Sequence, residues 1–105
     1  MYFGGKCALL MLTKDMYRRA NIAENETKSI NALPRQIAGV LVGITVKERE
    51  GGKYGISVRT REPVDASEIC ALLGGGGHRQ AAGCELTANP RTVISTILKY
   101  TEEAL

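Results

Sequence analysis

The sequence predicts an α+β fold, in which one small domain has a mixed sheet of about four or five strands with helices packed on it. Three observations predict it: a short apolar run near the N-terminus, two alternating segments around Gly51-Gly52, and two segments with helix-capping residues after Pro63. The chain has 105 residues, which suffices for a single modest core, so residues 1–105 are assigned to one domain.

The first elements are an apolar run and the polar segment that follows it. The run KCALLMLT, from Lys6 to Thr13, is nearly continuous in apolar residues, which predicts a buried strand near the middle of the sheet. The segment from Thr13 to Ile37 is polar and helix-compatible, which predicts two short helices, the second broken near Pro34.

A β-hairpin is predicted around Gly51-Gly52, because apolar residues alternate on both sides of this pair. The alternating residues are Val40, Val42, Ile44 and Val46 before it, and Tyr54, Ile56 and Val58 after it. A loop of only Gly51-Gly52 would place apolar residues opposite polar ones. A three-residue loop from Gly51 to Lys53 pairs Val46 with Val58 and is therefore preferred.

This hairpin also predicts a polar, cationic set of side chains on the other face of the sheet. Its members are Thr45, Lys47, Ser57, Arg59 and Arg61, and Gly43 leaves room beside them. Such a set can bind an anion, but a solvated face of an antiparallel sheet has the same character. Taken alone, the pattern favours the solvated face.

Two further helices are predicted from their caps and apolar stripes. Asp65 is placed as the N-cap of the first, with Glu68 three residues later, and Gly74 is placed to end it. Asn89 is placed as the N-cap of the second, with Pro90 at its first helical position. The predicted buried residues are Ile69, Leu72 and Leu73 in the first helix, and Val93, Ile94, Ile97, Leu98 and Leu105 in the second.

The composition limits the classes of partner. The chain is 44% hydrophobic and 24% charged with a net charge of +3, which permits an anionic ligand without requiring nucleic acid. No apolar run approaches a membrane span and MYFGGK lacks the layout of a secretory signal, so we expect no membrane partner and a cytoplasmic location. Cys7, Cys70 and Cys84 form no C-x-x-C pair, which favours buried free thiols over a zinc site or disulfides.

The stretch GGGGHRQAAG, from Gly74 to Gly83, is the strongest functional signal in the chain. Only its first glycine is needed to end a helix. We expect HRQAAG to form one helical turn, whose free N–H groups and preceding glycine backbone would bind a phosphate together with His78 and Arg59. The alternative is a flexible surface turn beside a structural histidine, and the spacing matches neither G-x-G-x-x-G nor a P-loop.

The same residues resemble a known family. GGGGHRQAAG resembles the G-G-G-H-x-x-A-A-G signature of the DHH-associated domain, and ISVRTR, from Ile56 to Arg61, resembles the S-x-R strand that precedes it. The similarity extends from about Lys6 to the C-terminal helix. The histidine favours the phosphoesterase branch of the family. That branch includes RecJ-like exonucleases, nano-RNases that also cleave 3′-phosphoadenosine-5′-phosphate, cyclic dinucleotide phosphodiesterases and exopolyphosphatase-related proteins.

The resemblance implies substrate-binding residues in this chain, and no catalytic or metal-binding residue. It implies that Arg59 clamps a phosphate, with Ser57 on the same strand. It implies that the loop made of Gly75, Gly76, Gly77 and His78 meets that phosphate. The residues beside the loop, which are also expected to touch substrate, are Arg79, Gln80 and Ala81.

The resemblance also implies a partner domain. In the family, an N-terminal DHH domain of the same protein binds manganese through clustered Asp and His, whereas this chain has one histidine and no Asp-His-His. We therefore expect the chain to be the excised C-terminal part of a manganese-dependent phosphodiesterase or exonuclease, and not to be catalytic alone. Its expected ligand is a short single-stranded oligonucleotide or a nucleotide phosphate, and homodimer formation is left open.

Two alternatives remain at this point. A nucleic-acid-binding module, as in the relatives associated with alanyl-tRNA synthetases, would bind longer strands with a steep salt dependence. A plain interaction or dimerisation domain would not need Arg59 for ligand binding. The chain has four tyrosines and one phenylalanine, too few for a long stacking platform, which favours a footprint of one or two phosphates.

Overall fold

Five strands form one mixed sheet in this computed structural model, which describes residues 1–21 and 30–105. The strands are β1 (Cys7–Leu12), β2 (Val42–Glu48), β3 (Lys53–Thr60), β4 (Gly76–His78) and β5 (Ala81–Thr87), in the order β1-β2-β3-β5-β4. The helices are α1 (Lys14–Ala20), α2 (Ala66–Ala71) and α3 (Pro90–Ala104), and 3₁₀ turns lie at Pro34–Gln36 and Glu50–Gly52. Strand β1 runs parallel to β2 and the other pairs are antiparallel, which confirms the predicted α+β fold.

The core lies between one face of the sheet and helices α2 and α3. Alternate residues of β2 and β3 enter it, as the period of a strand requires. Its buried members include Ile44, Val46, Ile56, Val58, Ile69, Val93 and Ile97. The opposite face of the sheet is therefore left to the polar residues of the same strands.

Strand β1 lies at the edge of the sheet, so its predicted place near the middle is wrong. Its apolar run is explained instead by apolar residues that pack against both faces of the strand. Cys7 belongs to the core, while Ala8 and Leu10 line an apolar groove with Leu33 and Ile37 on the other side. An edge strand covered on both faces has the same apolar pattern as a central strand.

The hairpin has the predicted faces, but its register differs from the prediction by two residues. Val46 lies opposite Ile56, not Val58, because the loop is the 3₁₀ turn Glu50–Gly52. Arg49 N–H closes this loop on the Lys53 carbonyl at 2.8 Å. A shift of two residues keeps every side chain on its face, so the polar set remains on the face opposite the core.

The caps of α2 and α3 are as predicted, whereas two residues of the apolar stripes are exposed and Leu73, Ile94 and Leu98 are only partly buried. The Asp65 carboxylate accepts from the Ser67 and Glu68 N–H groups, and Gly74 has a φ of 83° where the chain leaves α2. Leu72 is 62% exposed, because α2 ends at Ala71 and the next residue leaves its apolar face. Leu105 is 39% exposed at the end of the chain.

The cap of α3 gives a testable stability prediction. The Asn89 side-chain oxygen accepts a 2.8 Å hydrogen bond from Thr92 N–H. Asn89→Ala removes this bond and should lower the free energy of unfolding by about 1 kcal/mol in urea denaturation. Asn89→Asp keeps an acceptor there and should leave stability nearly unchanged; equal losses in both variants would contradict a capping role.

The segment from Thr13 to Ile37 was predicted to hold two helices. The first is α1, whose N–H group at Met16 is capped by the Thr13 hydroxyl. Near Pro34, where the second helix was expected to be broken, the structure has the 3₁₀ turn Pro34–Gln36, and residues 22–29 of the same segment lie outside the described residues. Across the described ranges, no helix is long and apolar enough to cross a membrane.

Candidate functional site

The residues after the glycine run form a β-hairpin, so the predicted helical turn is wrong. In this hairpin, Gly77 lies opposite Ala82 and His78 lies opposite Ala81. Strand β5 also pairs with β3 along its whole length, and Ala82 is buried in the core. Sheet pairing and burial outweigh the helix propensity of Arg-Gln-Ala-Ala, so no helix N-terminus exists here to bind an anion.

Two of the surplus glycines are explained by close packing of strands. A Cβ atom on Gly75 would collide with the Gly83 carbonyl oxygen and with Cys84, and one on Gly77 would lie 2.6 Å from the Cα of Ala82. A Cβ on Gly76 would meet nothing within 4 Å. Of these three positions, only Gly76 therefore leaves space above its backbone for a ligand.

Arg59 and His78 lie on the same face of the sheet, as the proposed receptor requires. Both residues are paired with Ala81, Arg59 from β3 and His78 from β4. Residues directly opposite one another share a face, and neighbouring strands are about 4.8 Å apart, so the two Cα atoms are separated by about 10 Å. Side chains of this length can converge on one phosphate from both sides of Ala81.

The next residues along the strands form a second row on the same face. Ser57 pairs with Gly83, which in turn pairs with Gly76. Ser57 thus lies two positions from Arg59 on the polar face. The register therefore brings together five of the predicted site residues: Ser57, Arg59, Gly76, His78 and Ala81.

Arg79 has a structural role that the sequence did not predict. It lies in the turn between β4 and β5, and its guanidinium donates to Glu62 at 3.1 Å. Its carbonyl accepts from Ala66 N–H at 2.6 Å and from the Thr60 hydroxyl at 3.2 Å. These bonds connect the turn that follows His78 to the end of β3 and to the start of α2.

A cavity of about 760 Å³ lies on the polar face next to these rows. Its floor is made of small residues, namely Gly55, Ser57 and Gly83. The polar and charged residues around this floor are Asn31, Lys47, Arg49, Arg59 and Glu85. With three cations and one carboxylate, this sheet cavity suits an anionic ligand.

Among the described residues, several polar groups at this face have no partner. In the part of the chain that the structure describes, no side chain forms an ion pair with Arg59. The Oγ1 of Thr45 and the Oδ1 of Asn31 are buried without a hydrogen-bond partner within the same residues. Buried polar groups without a partner are unusual in a folded domain, and a bound water, ion or ligand is one way in which they are satisfied.

The room predicted beside Gly43 is occupied by the protein itself. A Cβ there would lie 2.5 Å from Arg35 N and 3.0 Å from Pro34, so Gly43 admits the 3₁₀ turn Pro34–Gln36 onto the sheet. This turn closes the polar face near β1. The sheet cavity thus lies over β3 and β5 rather than over Gly43.

Sequence reasoning missed three residues of the cavity, Asn31, Arg49 and Glu85. Arg49 follows β2 two residues after Lys47 and continues the same polar series, whereas Asn31 comes from a distant segment. Glu85 could have been found, since it pairs with Gly55 in the register and therefore lies on the polar face. Arg49 could also have been found, by extending the series Thr45 and Lys47 by two residues, whereas nothing in the local sequence marks Asn31.

The three cysteines are free, as predicted, but they differ in environment. Burial raises the pKa of Cys7 to about 11. A hydrogen bond from the Cys70 thiol to the Cys84 sulfur, together with burial, raises the pKa of Cys70. The same bond lowers the pKa of Cys84, against the opposing effect of its partial burial.

These environments predict the order of thiol reactivity. Cys84 is half-buried with a lowered pKa, while Cys7 and Cys70 are fully buried with raised pKa values. Because the thiolate is the nucleophile, iodoacetamide should alkylate Cys84 first under native conditions. Peptide mapping by mass spectrometry would reveal the order, and faster modification of Cys7 would contradict it.

The manganese that the family resemblance implies does not fit the described residues of this chain. Over residues 1–21 and 30–105, no three His, Cys, Asp or Glu side chains lie together in a way that could hold a metal ion. The groups that the site described above brings together are arginine, histidine and backbone groups instead. No step of metal chemistry is therefore assigned to it.

Comparison with known families gives a match over nearly the whole chain. The family model of the DHHA1 domain matches residues 6–105. The bifunctional oligoribonuclease and PAP phosphatase NrnA of Thermus thermophilus is 36% identical over 85 residues, which are 81% of this chain and 24% of that protein. The chain thus spans about a quarter of the length of this curated relative.

Solved structures with the same fold include two different kinds of protein. An exopolyphosphatase-related protein from Bacteroides fragilis superposes with a TM-score of 0.88 at 21% identity, over 98% of this chain and 30% of that one. The C-Ala domain of Aquifex aeolicus alanyl-tRNA synthetase superposes with a TM-score of 0.67 at 17% identity, over 93% of this chain and 89% of that one. At these identities the likeness is one of fold.

Proposed function

The chain belongs to the DHHA1 domain family, and we propose that it binds the phosphate of a short oligonucleotide or nucleotide substrate for a DHH-type phosphoesterase. The placement of Arg59 and His78 on either side of Ala81 carries this proposal. The Thermus relative, named as an oligoribonuclease and PAP phosphatase, supports a ligand of this class. The substrates we propose are of the 3′-phosphoadenosine-5′-phosphate or cyclic dinucleotide type.

Arg59 has the role of the phosphate clamp in this proposal. Its guanidinium is a planar fork of N–H donors that matches two phosphate oxygens, and it has no competing carboxylate among the described residues. His78 donates a further hydrogen bond from β4, and the Ser57 hydroxyl faces the same side. Together they hold the phosphate in one orientation and offset the charge that develops on it during hydrolysis.

Hydrolysis itself is assigned to a domain beyond this chain. The chain spans 24% of the Thermus relative, and we propose that an N-terminal DHH domain of the same protein supplies manganese and the attacking water. Sequencing the gene upstream of Met1 tests this part. Clustered aspartates with an Asp-His-His triplet are expected there; an unrelated upstream sequence would contradict the assignment.

Calorimetric titration of the 105-residue chain tests the binding function. Adenosine 3′,5′-bisphosphate should bind saturably at low ionic strength, whereas adenosine, which lacks phosphate, should not bind. Affinity for oligoadenylates should stop rising after two or three nucleotides, because the site holds few phosphates. Affinity that continues to rise over eight or more nucleotides, with a steep salt dependence, would instead indicate a module for longer strands.

A further inference from the structure

Two of the three cysteines meet between α2 and β5, on the core side of the sheet. Cys70 is fully buried near the end of α2. Cys84 is paired with the buried Ile56, so its side chain is on the core face, where α2 packs against β5. The Cys70 thiol donates a hydrogen bond to the Cys84 sulfur, so the two sulfur atoms are already neighbours.

Backbone contacts of Gly75 hold the two cysteines together. The Gly75 N–H group donates to the Cys70 carbonyl at 2.8 Å. A Cβ atom built on Gly75 would lie 2.6 Å from the Cβ of Cys84 and 2.8 Å from its Cα. Since Gly75 has no Cβ, the chain that leaves α2 can rest directly on Cys84. The neighbouring positions of Cys70 and Cys84 are therefore fixed by backbone packing as well as by the contact of their thiols.

The two thiols differ in the way that a reactive thiol differs from the thiol that resolves it. Cys84 is half-buried, and the hydrogen bond from Cys70 lowers its pKa against the opposing effect of burial. That same hydrogen bond, burial and the charge of the Cys84 thiolate all raise the pKa of Cys70. A partly accessible cysteine with a lowered pKa, next to a second thiol, is the arrangement typical of redox-sensing cysteines.

Oxidation of Cys84 prepares Cys70 for the second step. The Cys84 thiolate attacks the terminal oxygen of a hydroperoxide and becomes a sulfenic acid, while the O–O bond breaks and the other oxygen takes up a proton, leaving as water or an alcohol. The charge of the Cys84 thiolate, one of the causes that raise the pKa of Cys70, is then gone. The Cys70 sulfur attacks the Cys84 sulfur, the S–O bond breaks, and hydroxide leaves with the Cys70 proton as water.

We propose that Cys70 and Cys84 are a modification site, where a small hydroperoxide produces a reversible disulfide that fastens β4. The hydroperoxide is reduced to water or an alcohol, and the two thiols are oxidised. The glycine run and His78 lie between the two cysteines in the sequence, so the disulfide closes a loop that contains β4. This strand has three exposed residues, and the closed loop restricts its opening. The chemistry uses neither Arg59 nor His78 and is independent of phosphate binding.

The test treats the reduced 105-residue chain with hydrogen peroxide under native conditions and follows its mass. The chain should lose the mass of two hydrogen atoms, and dithiothreitol should restore it. Trypsin cleaves after Arg79, between the two cysteines, so the disulfide should appear as a linked pair of peptides. Cys7→Ala is the matched control, because it removes the third thiol and should leave this disulfide in place.

Two single variants separate the roles of the thiols. In Cys70→Ala, Cys84 should stop at the sulfenic acid, which dimedone traps. In Cys84→Ala, Cys70 should remain a thiol over the same time, because it is fully buried. Equal oxidation of Cys70 with and without Cys84 would contradict the proposed order of the two steps.

Amide hydrogen exchange measures the effect of the disulfide on β4. The amides of Gly75 and of β4 should exchange more slowly in the oxidised wild-type chain than in the reduced one, and dithiothreitol should reverse the change. Over-oxidation of Cys84 while Cys70 stays a thiol would overturn the proposal. Disulfides that join two chains, or a linked chain in which β4 exchanges at an unchanged rate, would overturn it as well.

Discussion

Arg59→Ala should lower the affinity of the chain for adenosine 3′,5′-bisphosphate by about 10- to 100-fold in calorimetric titration. Hydrogen bonds to charged groups contribute about 1.5–3 kcal/mol each, and this variant removes the clamp of the site. The free energy of unfolding should stay within about 0.5 kcal/mol of wild type. The reason is that the half-buried Arg59 has no ion-pair partner among the residues that the structure describes.

Two variants serve as controls for the Arg59 result. Arg59→Lys keeps the charge without the planar fork and should retain part of the affinity. Arg91→Ala removes an exposed arginine from α3, which packs on the opposite face, and should change nothing. If Arg59→Ala and Arg91→Ala weaken binding equally, the ligand is held by net charge rather than by this site.

Gly75→Ala should destabilise the domain by about 1–3 kcal/mol, as is usual when atoms are forced into a packed region. The added methyl would collide with the Gly83 carbonyl oxygen and Cys84 of β5, both of which are fixed by the sheet. Relief requires β4 to separate from β5. The loss should appear as a lower urea midpoint with an unchanged slope.

Gly76→Ala is the matched control within the same glycine run. A methyl on Gly76 meets nothing within 4 Å, so stability should stay within about 0.5 kcal/mol of wild type. Equal stability losses in the two variants would contradict the packing role of Gly75. If Gly75→Ala left the stability unchanged, the result would favour the alternative interpretation of the glycine run, a flexible surface turn.

The sequence predicted the elements whose pattern is local. The alternation of Val42, Ile44 and Val46 with the opposing strand fixed the two faces of the hairpin, and Asp65 and Asn89 marked helix starts correctly. The prediction of which residues share a face of the sheet is correct despite the wrong register, because side chains in a strand alternate with a period of two residues. The same period places Arg59 and Ser57 on the polar face in either register.

Features that depend on distant pairing were not predictable. The segment from His78 to Gly83 has good helix formers, but pairing of β5 with β3 decides its conformation. The apolar pattern of β1 does not distinguish a central strand from an edge strand covered on both faces. The position of Arg49 beside the sheet cavity depends on Gly55, which belongs to the next strand.

The central claim is that Arg59 and His78 form one phosphate receptor on the polar face of the sheet. The most direct measurement is a titration of the ¹⁵N-labelled chain with adenosine 3′,5′-bisphosphate, followed by NMR. Amide signals of Ser57, Arg59, Gly76 and His78 should shift together along one binding curve, while those of the buried α2 and α3 faces should not. Saturable binding with its shifts centred on α2 and α3 would contradict the claim.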